Sequence, residues 1–349
     1  MKVVKVGTRL VGENQPCLVA AEIGINHNGD MNLAHRAIDA AADARVDAVK
    51  FQNYRTEDFI SDRSLTYEYV SQGKTVVEPQ WDMFKRCELI PEQLRELREH
   101  CDRRGVIFFS TPSSESGIRD LINVGVSLLK NGSDYLVHLP MIRAMAQSGL
   151  PTVISTGMAE QEDIEDAVGA FRGAGGKDLI LLHCTSSYPT PPGDVNLRKI
   201  STLARAFDCP VGLSDHTQGT IAAVASVALG ACMIEKHFTL DRNLPGPDHW
   251  FSADPAELQL LVESVRTVER NLGNPELRPA ASEKLGRSDY RLSCVAAVEL
   301  EAGHRLTATD VAFRRPGSGY LPKELDRLLD RHLTRNVKPG HVFVAEDFV

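Results

Sequence analysis

The sequence contains no CxxC pair, no apolar run long enough to cross a bilayer and no long basic run. Its seven cysteines (Cys17, Cys87, Cys101, Cys184, Cys209, Cys232 and Cys294) are scattered, most of them inside apolar runs where a free thiol behaves as a small core residue. That distribution offers neither a disulfide framework nor a thiolate zinc cluster, and it fits a reducing cytosol. The N-terminal MKVVKVGTRLVGENQP lacks the apolar core of a signal peptide, so a cytoplasmic protein without a membrane partner is expected. A formal charge of −8 with no basic stretch argues against nucleic acid or anionic membrane as a ligand. A local basic pocket for a small anion remains compatible with it. Also missing is a GxGxxG after the first apolar run, which weakens a dinucleotide-binding fold.

What is present is a regular alternation over the first 270 or so residues. Short β-branched runs occur at 17–23, 47–52, 106–111, 127–130, 151–156, 179–185, 210–216 and 232–238. Helical patterns separate them, as in NLAHRAIDAAADA (32–44) and PEQLRELREHCDRR (91–104), and PAELQLLVESVRTVERNL (255–272) closes the series. Eight strand–helix units predict an α/β fold, a closed (β/α)₈ TIM barrel, with an open doubly wound sheet as the alternative. The connection 53–90 is long for a βα loop and reads as a lid or an excursion over the barrel mouth. Residues 273–291 are polar and read as a linker between a barrel domain (1–272) and a small tail domain (292–349). Within the tail, EAGHRLTATDV (301–311) and KPGHVFVAEDF (338–348) form a weak repeat, which predicts a small, pseudo-symmetric, mostly β unit with tight glycine turns.

A barrel gathers its chemistry at the C-terminal ends of its strands. Polar residues fall at that end of nearly every run: Glu22; Lys50 and Gln52; Ser110 and Thr111; Lys130 and Ser133; Ser155 and Thr156; His183 and Thr185; Ser214, Asp215 and His216; Glu235, Lys236 and His237. Charged groups in apolar runs are costly unless paired or functional. Either histidine alone reads more simply as a core residue bonded to backbone. Together, on neighbouring strands seven and eight, His216 and His237 suit one divalent transition metal, with open positions for water or substrate oxygen. Lys50 and Lys130 suit an anion such as phosphate or carboxylate, against the plainer reading of local charge neutralisation. Glu22 is the carboxylate placed for proton transfer.

At these residues the chain resembles the sialic acid synthase family, whose members make nine-carbon nonulosonic acids. AEIGINHNGD (21–30), AVKFQ (48–52), FFSTP (108–112), STGM (155–158), LLHCTSSYPTPPGDVNL (181–197), GLSDHT (212–217), EKHFTLDR (235–242) and GPDHWFS (246–252) carry the likeness in order. RRPGSGY (314–320) resembles the motif of an antifreeze-like (SAF, β-clip) domain. The resemblance implies metal-dependent condensation of phosphoenolpyruvate with an N-acetylated aminohexose, releasing phosphate. It implies metal, Mn²⁺ first with Mg²⁺ or Co²⁺ as alternatives, on His216 and His237. Lys50, Gln52, Thr111, Lys130, Ser133, Ser155, Ser214 and Tyr188 would hold phosphoenolpyruvate, and Glu22 would move a proton. Ser186 and Asp248 fall on the sugar side. It implies a domain-swapped homodimer as well, in which Arg315 of one chain reaches the sugar bound by its partner.

Three departures lie on the sugar side. Where the family reads Lys-x-Gly-Ser-Gly and then an acid, this chain reads KNGSDYL, with Tyr135 at the acid position and Asp134 one residue early. Thr185-Ser186 replaces Thr-Asn, and the lid position near Thr75 aligns poorly. They predict retained chemistry on N-acetylmannosamine or a 2,4-diacetamido-2,4,6-trideoxyhexose. The competing readings are a metal-dependent hydrolase on the same barrel and a carbohydrate-binding protein with an inactive barrel.

Overall fold

The eight β-branched runs become parallel strands: β1 (Leu18–Gly24), β2 (Ala48–Asn53), β3 (Ile107–Pro112), β4 (Leu129–Asn131), β5 (Thr152–Ser155), β6 (Leu179–Cys184), β7 (Val211–Asp215) and β8 (Met233–His237). In this computed structural model, which describes residues 2–349, they pair in chain order and close, β8 against β1, into a barrel. Closure runs in register from Met233 beside Leu18 to His237 beside Glu22. Each strand is followed by a helix: α1 (Met31–Asp43), α2 (Pro91–Arg104), α3 (Glu115–Val124), α4 (Leu139–Gln147), α5 (Gln161–Gly173), α6 (Lys199–Phe207), α7 (Ile221–Ala228) and α8 (Pro255–Leu272).

Local sequence explains the helix limits. Pro91 opens α2, where its missing N–H costs nothing, and Gly105 ends it at φ 72°. Leu94, Leu97 and Cys101 recur on the face that α2 buries. Asp30, Ser114 and Asp254 cap α1, α3 and α8 by accepting backbone N–H bonds.

Period-two alternation sorts each strand. Val19, Ala21, Ile23, Val49 and Phe51 face the helices, while Leu18, Ala20, Ala48, Phe109, Val153, Ile180, Leu182 and Met233 fill the barrel's lower interior. Gly212 occupies an inward position where a Cβ would stand 2.3 Å from the Met233 carbonyl oxygen, so only glycine fits there. An N-terminal hairpin, Val3–Val6 with Arg9–Gly12, joins the same interior through Val4, Val6 and Val11. It plugs the end opposite the polar strand ends.

The excursion at 53–90 is structured. It holds the short helices Thr56–Phe59 and Gln80–Arg86 and an antiparallel hairpin, Thr66–Ser71 with Lys74–Pro79. The hairpin turns through Gln72 and Gly73, both at positive φ. Tyr54, Phe59 and Phe84 meet edge-to-face, with ring centroids 5.1–5.5 Å apart, and form the small core beneath it.

The chain divides into two compact units between Gly273 and Asn274. The 273–291 segment, expected as a linker, belongs almost wholly to the second unit and carries the short helix Lys284–Asp289. The rest of the second unit pairs Ser293–Ala296 with Val311–Arg314, adds isolated bridges and packs around Cys294, Leu306, Leu328 and Phe343. Its internal repeat is physical. Gly303 and Gly340 turn at φ 83° and 85°. His304 Nε2 lies 2.9 Å from Asp310 Oδ2, and His341 Nε2 lies 2.8 Å from Asp347 Oδ2. Each aspartate also accepts a backbone N–H, from Thr307 and Val344 respectively. Two copies of one clamp thus hold the two halves.

Candidate active site

The upper inward positions of the barrel are polar on strand after strand, and they converge on a cavity of about 530 Å³ at the C-terminal mouth. Glu22, Lys50, Thr111, Lys130, Ser155, Cys184, Ser214 and Glu235 line its floor, and His216, just past the end of β7, and His237, the last residue of β8, stand one inward position higher. Every barrel residue given a catalytic, binding or metal role from the sequence, Gln52, Ser133, Ser186, Tyr188 and Asp248 included, lines this cavity.

The floor is a linked set of charges. Lys50 Nζ lies 2.8 Å from Glu22 Oε2 and 3.7 Å from Glu235 Oε1, and it donates to Thr111 Oγ1 at 3.1 Å. Lys130 Nζ lies 3.8 Å from the same Glu235 oxygen and donates to Ser155 Oγ at 2.7 Å. Ser214 Oγ donates to Glu235 Oε1 at 3.2 Å, while Glu235 Oε2 is buried without a hydrogen-bond partner. Gln52 Nε2 donates to Glu22 Oε1 at 3.3 Å.

Burial and neighbours divide these groups. Burial, countered by Lys50 but reinforced by Glu235, raises the Glu22 carboxyl to about 7. Burial would raise Glu235 too, yet Lys130 and Lys50 outweigh it and hold it below its ordinary value. Lys50 resists burial through Glu22 and Glu235 and stays above the usual ammonium range, whereas burial wins at Lys130, which is pushed down. Two carboxylates and two ammonium groups in one layer therefore differ in how readily they exchange protons. That spread is characteristic of sites that do acid–base work.

Above the floor, the His216 and His237 ring centroids are 5.3 Å apart. His216 Nδ1 donates to the Thr185 carbonyl at 2.8 Å, which leaves Nε2, with Ser214 Oγ 3.5 Å away, as the ring atom available to an ion. His237 is held well below the ordinary imidazole range by burial and by His216, Lys50, Lys236 and Lys130. Its buried Nδ1 has no hydrogen bond, and the nearest charge is Asp248 Oδ2 at 3.7 Å. Burial raises Asp248 to about 6. Tyr188 lies over His216 with centroids 4.2 Å apart. Among the described residues no set of three or more His, Cys, Asp or Glu converges on an ion position, so this pair is the nitrogen-donor set available at the mouth.

The structure corrects several sequence expectations. Ser110, Thr156, His183, Thr185, Asp215 and Lys236 sit at strand ends but alternate outward; none lines the cavity. His183 instead bonds the Val195 carbonyl. Cys184, read as a core thiol, faces the cavity, and His216 outweighs burial to hold it below the ordinary thiol range. Glu235 stood among the strand-end residues without a role, yet it bridges both lysines; the inward spacing Met233, Glu235, His237 was the signal for it. Asp134 and Tyr135 both line the cavity, so the displaced carboxylate does reach it. The excursion contributes Phe59, Tyr67, Gln80, Met83 and Phe84 as one wall. Arg315 lies in the second unit, exposed, donating to the Tyr290 carbonyl at 3.1 Å.

Comparison with known proteins gives this cavity its relatives. The NeuB family model matches residues 37–276 and the SAF domain model residues 293–349. An uncharacterised protein of Methanocaldococcus jannaschii is 40% identical over 349 residues, covering 100% of this chain and 99% of the relative. The N,N'-diacetyllegionaminic acid synthase of Legionella pneumophila is 37% identical over 344 residues, 97% of each chain. Among solved structures, the N-acetylneuraminic acid (sialic acid) synthetase of Leptospira borgpetersenii in complex with citrate superposes with a TM-score of 0.74. It is 36% identical, over 82% of this chain and 95% of that one.

Proposed function

The chain belongs to the NeuB family, and from that premise we propose that it condenses phosphoenolpyruvate with the open-chain aldehyde of an N-acetylated aminohexose, forming a nonulosonic acid and phosphate. The observation that carries this reading is the single floor layer in which Lys50 and Lys130 meet Glu22 and Glu235 beneath two imidazoles. Two buried ammonium groups on one side of a cavity this size match the phosphate and carboxylate of one small acid.

The donor set fits a divalent ion such as Mn²⁺: two imidazoles, one with its free nitrogen fixed by the Thr185 carbonyl, the other with an unpartnered buried nitrogen. When bound on His216 and His237, that ion supplies Lewis-acid polarisation of the aldehyde oxygen. The remaining work belongs to the chain itself. Lys50 and Lys130, with Thr111, Ser133, Ser155 and Ser214, hold phosphoenolpyruvate with C3 towards the aldehyde. Attack by C3 leaves an oxocarbenium ion at C2; water adds there, and the tetrahedral product expels phosphate. Glu22, poised near neutrality and oriented by Gln52, moves the proton in this sequence. Tyr188, Ser186 and Asp248 bound the sugar end.

The wall formed by Phe59, Tyr67, Met83 and Phe84 favours a sugar with methyl and acetamido groups over one carrying only hydroxyls there. The substrate is accordingly a 2,4-diacetamido-2,4,6-trideoxyhexose rather than N-acetylmannosamine. The working form is a homodimer in which Arg315 of each chain serves the partner's sugar. A phosphate-release assay with phosphoenolpyruvate, a panel of aminosugars and Mn²⁺ tests the reading. Release should need both substrates and metal and be fastest with the diacetamido sugar. Release from phosphoenolpyruvate alone, or none with any sugar, defeats it.

A further inference from the structure

Directly behind the two imidazoles, on the outer face of the same strands, lies a buried ion pair that cannot touch substrate. Asp215 and Lys236 are register partners on β7 and β8. Their side chains are 1% and 2% exposed, and Lys236 Nζ stands 2.8 Å from Asp215 Oδ2. The ammonium has a second acceptor, the Thr217 carbonyl. Asp215 Oδ1 in turn accepts the Thr217 N–H at 2.9 Å. Lys236 therefore precedes one imidazole in the chain and grips the residues on both sides of the other. Neither residue lines the cavity.

A buried ion pair is poor evidence for stability, because desolvation offsets most of its attraction. What it does impose is geometry. Beyond Asp215 the strand ladder ends, and His216 enters a loop. The other partners of His216 (Thr185, Ser214 Oγ, Cys184 Sγ, the Tyr188 ring and the Thr190 N–H) belong to β6, β7 and the segment after β6, whereas the Asp215–Lys236 pair ties its two chain neighbours to β8. We propose that the Asp215–Lys236 pair is a positioning device that sets the spacing of His216 and His237, and so the affinity of the mouth for a divalent cation. This rests on the metal reading above.

Mn²⁺ binding to the full chain without substrates tests it, by titration calorimetry and by pulsed EPR counting imidazole nitrogens on the ion. Wild type should bind one ion through two nitrogens, and His237→Ala should not. If wild type binds none, the metal reading fails and this inference falls with it. The double variant Asp215→Leu/Lys236→Met removes the tie without stranding a charge. It should keep its circular dichroism but bind Mn²⁺ about 10-fold or more weakly, with one nitrogen coupling lost or altered. Native affinity and two unchanged couplings in that folded variant overturn the proposal. Should the double variant not fold, Asp215→Asn decides: it is isosteric but loses the charge and, with a single carbonyl oxygen, one of the two acceptors that hold Lys236 and the Thr217 N–H. Weakening of about 3-fold or more supports the tie, and native affinity refutes it. Lys236→Arg, which keeps charge and reach, should retain most of the wild-type affinity; a loss as large as that of the double variant counts against positioning.

Discussion

The inward and outward faces of the same strand ends treat buried charge in opposite ways. Outward, Asp215 and Lys236 satisfy one another, and the neighbouring Thr217 backbone takes up their remaining capacity. His183 likewise finds a carbonyl. Inward, the charges are more numerous and less complete: Glu235 leaves one oxygen bare, His237 leaves one nitrogen bare, and one Glu235 oxygen serves both lysines. Unfinished hydrogen bonding in a buried layer costs free energy unless a ligand completes it. Adjacent residues on one strand thus separate into those that serve a ligand and those that serve the fold.

Substitution can break that contrast if it is wrong. The largest effect belongs to the floor: Lys130→Met should lower kcat/KM on the order of 1000-fold while leaving the thermal midpoint within a few degrees. Loss of folding instead of activity would erase the distinction. On the outward face the expectation reverses. Lys236→Ala alone strands the Asp215 carboxylate and should destabilise the barrel by about 3–5 kcal/mol in denaturant melts. A stable, fully folded Lys236→Ala chain would show that the outward pair is dispensable.

Glu22 refines the comparison through pH. Its carboxyl is raised to about 7 in the fold, so its favourable contribution to stability is complete well below the unfolded value and disappears as pH rises through 7. Glu22→Gln should therefore gain in thermal midpoint relative to wild type between pH 5 and pH 8. It should also lose turnover about 100-fold, together with the limb near pH 7 in the kcat/KM profile. A limb that persists in that variant assigns the proton to another group.

The smallest expected effect concerns the second unit. Asp347 is buried, and although burial pushes it up, the Val344 N–H, His341 and Arg335 hold it below the ordinary carboxylate range. That stability is present at neutral pH and is lost as pH falls through the depressed value. Asp347→Asn should cost about 2 kcal/mol at pH 7 and make acid unfolding shallower. Asp310→Asn, in the more exposed copy of the clamp, should cost less. Equal costs would mean that burial does not distinguish the two halves.

Much of this was legible from the chain. The eight runs and their polar ends were visible because parallel barrel strands are continuous apolar segments that stop at the mouth. Legible too, but only through strict alternation, was the orientation of MIEKH, which puts Glu235 inward and Lys236 outward. Two features left weaker signals. The N-terminal hairpin is built from the alternation in VVKVGTRLVG, too short to announce that it plugs a barrel. The cavity wall from 53–90 depends on tertiary packing of Tyr54, Phe59 and Phe84, and no local pattern reports which loop aromatics meet. Cys184 misled for a related reason: an apolar run says that a thiol is buried, not which side it faces.

The seam between β8 and β1 has a consequence for how the protein comes into being. Glu22 leaves the ribosome early and His237 late, yet they end as register neighbours. A chain that stops before the eighth strand therefore lacks Glu235, the acid that bridges Lys50 and Lys130, and His237, the second imidazole of the mouth. The linked layer of charges is finished only by the strand that seals the ring, long after its first member, Glu22, has been made.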